Sequence, residues 1–272
     1  GAAVMIKNLM SSLGSKLSSA YTFTVMVFLY APILVLVVFS FNSTKSRSAW
    51  TGFSLYWYKE LLKNRAIAEA LTATLIVALA AAVFSTVIGT LGAIGIHSLG
   101  RKSKSLIMNL TYIPLVSPEI IMGVSLMLLF SLAGIEFGIF SLILAHITFN
   151  LPYVILSVLP KLRQMDKHLF EAALDLGCNQ RQAFAKVVLP EIMPGIVTGF
   201  LMSITFSLDD FNVSYFVSGD KFQTLPVLIY SMTRRRVSPE INALSTLMFL
   251  TVLAILLTVN IRDAVKEKKL LR

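Results

Sequence analysis

At 272 residues, with 56% of them hydrophobic, a mean hydropathy of +0.77 and a formal net charge of +10, the chain is too apolar for a water-soluble domain. The charge makes no nucleic-acid patch, because the Lys and Arg residues stand in the breaks between apolar runs, a pattern of membrane topology. One cysteine, Cys178, excludes an internal disulfide, and His97, His146 and His168 are too scattered for a metal site.

The first apolar run, about 21–41, follows Lys7 and Lys16 and has the ~20 residues a membrane span needs. It lacks a small-residue cleavage site and is expected to stay as a span rather than leave as a signal peptide. Residues 42–65 are polar and aromatic. Trp50, Tyr56, Trp57 and Tyr58 suit a membrane boundary, and Trp57 either anchors that boundary or offers a face to an organic ammonium. The second span, about 66–97, is rich in Ala, Gly and Thr, which predicts close helix packing. Arg101, Lys102 and Lys104 fill the next break. A third span, 105–133, is interrupted by Pro114 and by Ser117-Pro118-Glu119; the fourth covers 139–160, the fifth 191–211 and the sixth 241–261.

The expected fold is therefore an all-α integral membrane protein, six transmembrane helices in a single domain over 1–272, with no internal repeat. Both termini are expected in the cytoplasm. That orientation puts 15 Lys and Arg residues on the inner segments, 161–190 among them, against 9 on the outer ones.

The segment 161–190 reads KLRQMDKHLFEAALDLGCNQRQAFAKVVLP. Asp166 can cap a helix carrying Leu169, Ala172, Ala173 and Leu176 on one face, and Gly177 lets the chain leave it with positive φ. A second helical pattern starts near Asn179 and is expected to stop at Pro190. The result is a helix-turn-helix outside the hydrocarbon core, with Ala172 and Ala173 permitting close approach by a partner and Glu171 free to pair with a base.

Carboxylates inside membrane segments are costly and must face a cavity or a partner. Glu119, Asp209 and Asp210 stand out. Helical rise places all three in the outer half of the membrane, ~22–28 Å from the inner surface, where they would attract a cation. Pro118 breaks the helix beside Glu119, and such breaks belong where backbone lines a cavity. Ser207 lies within one turn of the Asp pair and is expected to donate to it. The outer segment 212–240 is too long for a minimal turn, and its Arg234-Arg235-Arg236 suits an acidic partner face or lipid headgroups. Residues 95–103, GIHSLGRKS, imitate a phosphate loop, but Arg101 stands where Lys is needed and no strand precedes it. No catalytic or metal residues are expected.

Glu171-Ala172-Ala173, Gly177 and Leu189-Pro190 at this spacing resemble the coupling loop of bacterial ABC importer permeases of type I, the segment that meets the ATPase. Stretches such as IPLVSPEIIMGVSLMLLF, SLDDFNVSYFVSG and LPVLIYSMTRRRVSPEINALST resemble, in addition, the C-type permeases of spermidine/putrescine importers. This resemblance implies a second permease, two ATPase subunits that bind ATP and Mg, an extracytoplasmic polyamine-binding protein, and a place in the bacterial cytoplasmic membrane with no cofactor on this chain. It implies Trp57, Glu119, Ser207, Asp209 and Asp210 along the substrate pathway. Where relatives carry Asp at the Glu119 position, Glu keeps the charge on a longer arm. Iron(III), thiamine or a phosphonate on the same architecture is the alternative; a stand-alone channel or secondary transporter is the more distant one.

Overall fold

The computed structural model describes residues 2–44, 49–220, 222–235 and 239–270. Arg236, Val237 and Ser238, singled out above, lie outside the described residues, as does the side chain of Arg235. Every element among the described residues is helical, apart from one antiparallel bridge between Asn42 and Phe53. Among the described residues, four helices are long and apolar enough to cross a membrane: Ser18–Ser40, Arg65–Ser98, Ile139–Gln164 and Gln180–Asp209. A fifth candidate is a broken pair, Arg101–Val116 and Glu119–Leu132, bent by 107°. The chain is a multi-pass membrane protein.

It forms two compact units, Gly1–Arg65 with Met232–Arg272, and Ala66–Ser231. The first holds α1 (Ala2–Ser40), α2 (Tyr56–Lys63) and α12 (Pro239–Leu270), with α1 and α2 packed on α12. Asn42 organises the link from α1 to α2. Its buried side-chain oxygen accepts from the Thr51 N–H and hydroxyl at 2.9 and 2.8 Å, and its Nδ2 donates to the Ala49 carbonyl at 3.0 Å. One amide thus meets the backbone's unpaired groups in a turn that has no sheet to do so.

The second unit runs from α3 (Arg65–Ser98) through α4 (Arg101–Val116), α5 (Glu119–Leu132), α6 (Ile139–Gln164), α7 (Lys167–Asp175), α8 (Gln180–Ala183), α9 (Leu189–Asp209) and α10 (Asn212–Val217) to the start of α11 (Leu225–Arg235). Its central contact is α6 against α9. Ile192, Gly195, Gly199, Ser203 and Ser207 recur at intervals of three and four, a single buried stripe on α9. A Cβ at Gly195 would sit 2.7 Å from the Ser157 carbonyl oxygen, so this glycine lets two backbones approach where a side chain would part them. Ser85 of α3 joins the seam through the Ser203 hydroxyl at 3.3 Å.

Pro190 does not stop the helix, contrary to expectation. A π-helical turn, Phe184–Val188, precedes it, and the Leu189 N–H reaches back to the Phe184 carbonyl. Proline in a regular helix clashes with the carbonyl four residues earlier and removes a donor; the wider turn relieves both faults. Helix therefore continues without interruption from Gln180 to Asp209.

Candidate cation site and coupling segment

Two helix breaks carry the site. At the first, Ser117 and Pro118 take extended backbone angles, the Ser117 N–H closes α4 on the Ile113 carbonyl, and α5 opens on Glu119. A carboxylate on the first helical residue is favoured by the amides exposed there. At the second, α9 ends at Asp209, Asp210 turns extended, and α10 begins at Asn212. The Asn212 Nδ2 donates to the Glu119 Oε2 at 2.6 Å, which fastens one break to the other. α10 then packs along α5, with Phe216 filling the space that Gly123 leaves open.

The adjacent aspartates face opposite ways. Asp209 is exposed. Asp210 points inward, its side chain only 8% exposed, and accepts from the Val213 N–H at 3.2 Å and the Ser214 N–H at 2.7 Å. It is therefore the cap of α10. Glu119 is exposed like Asp209, so those two carboxylates are the ones open to a cation.

Ser207 does not serve the Asp pair. It is buried in the seam and accepts from the Asn150 Nδ2 at 2.8 Å. Trp57, read either as a boundary anchor or as a face at the entrance, is 4% exposed and donates its indole N–H to the Asn42 carbonyl at 2.8 Å. It reaches only the wall of an open pocket of about 520 Å³ shared with Ser43, Thr44, Tyr56, Glu60 and Glu240. Tyr58 is likewise an anchor, with its hydroxyl 2.7 Å from the Ser40 Oγ.

Aromatic faces that sequence reasoning missed lie in the same unit as the carboxylates. Tyr153 and Phe206 pair across α6 and α9 with ring centres 4.3 Å apart, and Tyr153 lies within electrostatic reach of Glu119. Phe211, Tyr215 and Tyr230 form a mutual cluster at 4.5–6.0 Å, beginning two residues after Asp209. Tyr215 and Tyr230 are exposed. The only advance signal was Phe211 next to the aspartates; the rest depended on which helices pack together. Asn212 carried no signal of its own.

The 161–190 segment forms as its capping residues predict. The Asp166 Oδ1 accepts from the His168 N–H at 3.0 Å, Gly177 has φ of +88°, and Asn179 and Gln182 exchange bonds in a capping box. Glu171 is 72% exposed at its side chain, beside His168 at 3.5 Å. Leu169 and Leu176 are exposed, while Ala173 is buried. Phe170 and Leu174 are half-buried, Phe170 against the core of the unit, so the bare apolar side chains are Leu169 on the helix and Leu176 just past its end.

Residues 85–271 match the family described as the binding-protein-dependent transport system inner membrane component. The chain is 40% identical over 239 residues to the spermidine/putrescine transport system permease protein PotC of Haemophilus influenzae, covering 88% of this chain and 93% of that protein. To the putrescine transport system permease protein PotI of Escherichia coli K12 it is 42% identical over 227 residues, 81% of each. Its fold is similar to a chain of a bacterial ABC transporter involved in import of the acidic polysaccharide alginate, with a TM-score of 0.72 at 12% identity over 91% of this chain and 95% of that one. The family model and the curated relatives agree on one conclusion: this chain belongs to the inner-membrane permease components of binding-protein-dependent ABC transport systems.

Proposed function

We propose that the chain is the permease subunit of an ATP-driven importer of polyamines, spermidine or putrescine. The observation that carries this reading is the junction of two helix breaks at exposed carboxylates, Glu119 opening α5 and Asp209 closing α9. Irregular backbone inside a membrane is stable only where it is buried or lines a water-filled space, and charge there marks an ion route. A flexible polycation is held by separated carboxylates and by aromatic faces, which Tyr153, Tyr215 and Tyr230 supply. The relatives named for polyamine transport share that chemistry of cargo.

In this reading six spans form one membrane domain, both termini face the cytoplasm, and a second permease completes the path. Glu119 and Asp209 meet the cation, Asp210 holds the elbow between α9 and α10, and Ser207 and Trp57 act through the framework. A polyamine-binding protein delivers cargo from outside. Two ATPase subunits bind ATP and Mg and close against the α7–α8 segment, with Glu171, Ala172, Ala173 and Gly177 at the contact and Leu189 and Pro190 carrying the motion into α9. The chain itself contributes neither ATPase motif nor cofactor. Access alternates: closure of the ATPases opens the permeases outward, and hydrolysis returns them inward.

The test is ATP-dependent uptake of labelled spermidine into proteoliposomes by the full complex with its binding protein, wild type against Asp209→Asn and Glu119→Gln. The expected result is uptake by wild type and its loss in the double variant, which still assembles and hydrolyses ATP. A wild-type complex that hydrolyses ATP without moving polyamine sinks the substrate assignment and leaves the permease assignment standing.

A further inference from the structure

His146 is wholly buried on α6, and no step described above uses it. A polar ring in a membrane helix is costly unless hydrogen bonds repay it, and on one side this ring meets only Phe149, 4.9 Å away. The His146 Nε2 stands 3.0 Å from the Ser214 Oγ and 3.6 Å from the Asp210 Oδ2. That carboxylate takes the backbone amides of Val213 and Ser214. Ser214 thus carries both contacts, its backbone N–H donating to Asp210 and its hydroxyl meeting the His146 ring. Nδ1 is buried without a partner, which fits an unprotonated ring nitrogen better than an orphaned N–H.

The bonds form a continuous line. His146 on α6 holds Ser214, Ser214 holds Asp210, Asp210 caps α10, and the first residue of α10, Asn212, holds Glu119 on α5. Asp209 adjoins Asp210 directly. Farther along α10, the Ser141 hydroxyl binds the Val217 carbonyl at 2.8 Å, so α10 is fastened to α6 near both ends. We propose that His146 is a positioning residue for cation transfer: through Ser214 and Asp210 it fixes the elbow between α9 and α10, and with it the placement of both exposed carboxylates. The inference rests on the polyamine reading above.

The experiment uses the full complex in proteoliposomes with its binding protein, comparing wild type with His146→Leu, His146→Gln and Ser214→Ala. It reads labelled spermidine moved per ATP hydrolysed, and KM. His146→Leu and Ser214→Ala are each expected to lower the spermidine moved per ATP on the order of tenfold and to raise KM, since even a shift of binding groups well short of an ångström weakens a positioned contact. His146→Gln, whose amide can donate to Ser214, is expected to recover most of the loss. Equal transport per ATP in wild type and His146→Leu overturns the proposal; so does a His146→Gln variant no better than His146→Leu. Ser214→Ala decides the matter by the same measure if His146→Leu fails to assemble. Amide hydrogen exchange at Val213 and Ser214 supplies a readout independent of cargo, expected to quicken in His146→Leu and Ser214→Ala, and unchanged exchange overturns the proposal. Should wild type hydrolyse ATP yet carry no spermidine, the polyamine reading falls, and exchange alone then decides on His146.

Discussion

Asp209 and Asp210 share a side chain, a helix end and a neighbour, yet only one of them caps a helix. Asp210 spends its oxygens on the amides of α10, and Asp209 spends none on a described partner. Removing a cap of this kind costs about 0.5–2 kcal/mol. Asp210→Ala is therefore expected to lower the melting temperature of the purified complex, while Asp209→Ala leaves it near wild type; equal shifts in the two would remove the distinction. The acidic pair was legible in the sequence because charge in an apolar run is conspicuous. Its division of labour was not, since that depends on the direction of the chain after Asp210, and no local pattern announces an elbow. Ser207 misled for a related reason. Proximity along a helix placed it beside the aspartates, but buried Asn150 on another helix needed its oxygen more. Trp57 shows the converse case, an aromatic at the right boundary whose N–H was claimed by the backbone at Asn42.

At the scale of elements, apolar runs, caps and the Gly177 turn could be read in advance because each rests on local chemistry. The α7–α8 segment folds on Asp166, Gly177 and Asn179, all visible as letters. The continuation of helix through Pro190 was not legible: proline's cost was counted, but a π-helical turn one step earlier is a backbone remedy with no residue signature. The surplus of small residues was read on the second span, now α3, whereas the close packing of α6 on α9 went unread, because it depends on which helices meet. The structure pairs Gly195 with the Ser157 carbonyl at a distance that admits no Cβ. Gly195→Val is expected to force the helices apart and destabilise the subunit by about 1–3 kcal/mol, the usual cost of overpacking. The check is a lower melting temperature and reduced recovery of assembled complex. At Gly95, where a Cβ meets nothing within 4 Å, the same substitution is expected to have a much smaller effect.

For the whole molecule, orientation is the property on which the transport reading depends most. If the α7–α8 segment faced outward, no ATPase could reach Glu171 and the permease would have nothing to drive it. The bias of 15 Lys and Arg residues on the proposed inner segments against 9 on the outer ones favours the inward placement, but the excess is modest and outer Arg234 works against it. A direct probe is built into the chain. Cys178 is its sole cysteine, half-buried, one residue past the Gly177 turn and therefore within the α7–α8 segment. A membrane-impermeant maleimide is expected to label Cys178 in inside-out vesicles and to leave it unlabelled in right-side-out vesicles until the membrane is permeabilised. Labelling should also fall when the ATPase subunits are present, because a seated partner covers the exposed Leu176 and its surroundings. Labelling from the outside would invert every inner and outer assignment, place Glu119 and Asp209 toward the cytoplasm, and require these carboxylates to release a cation rather than receive it.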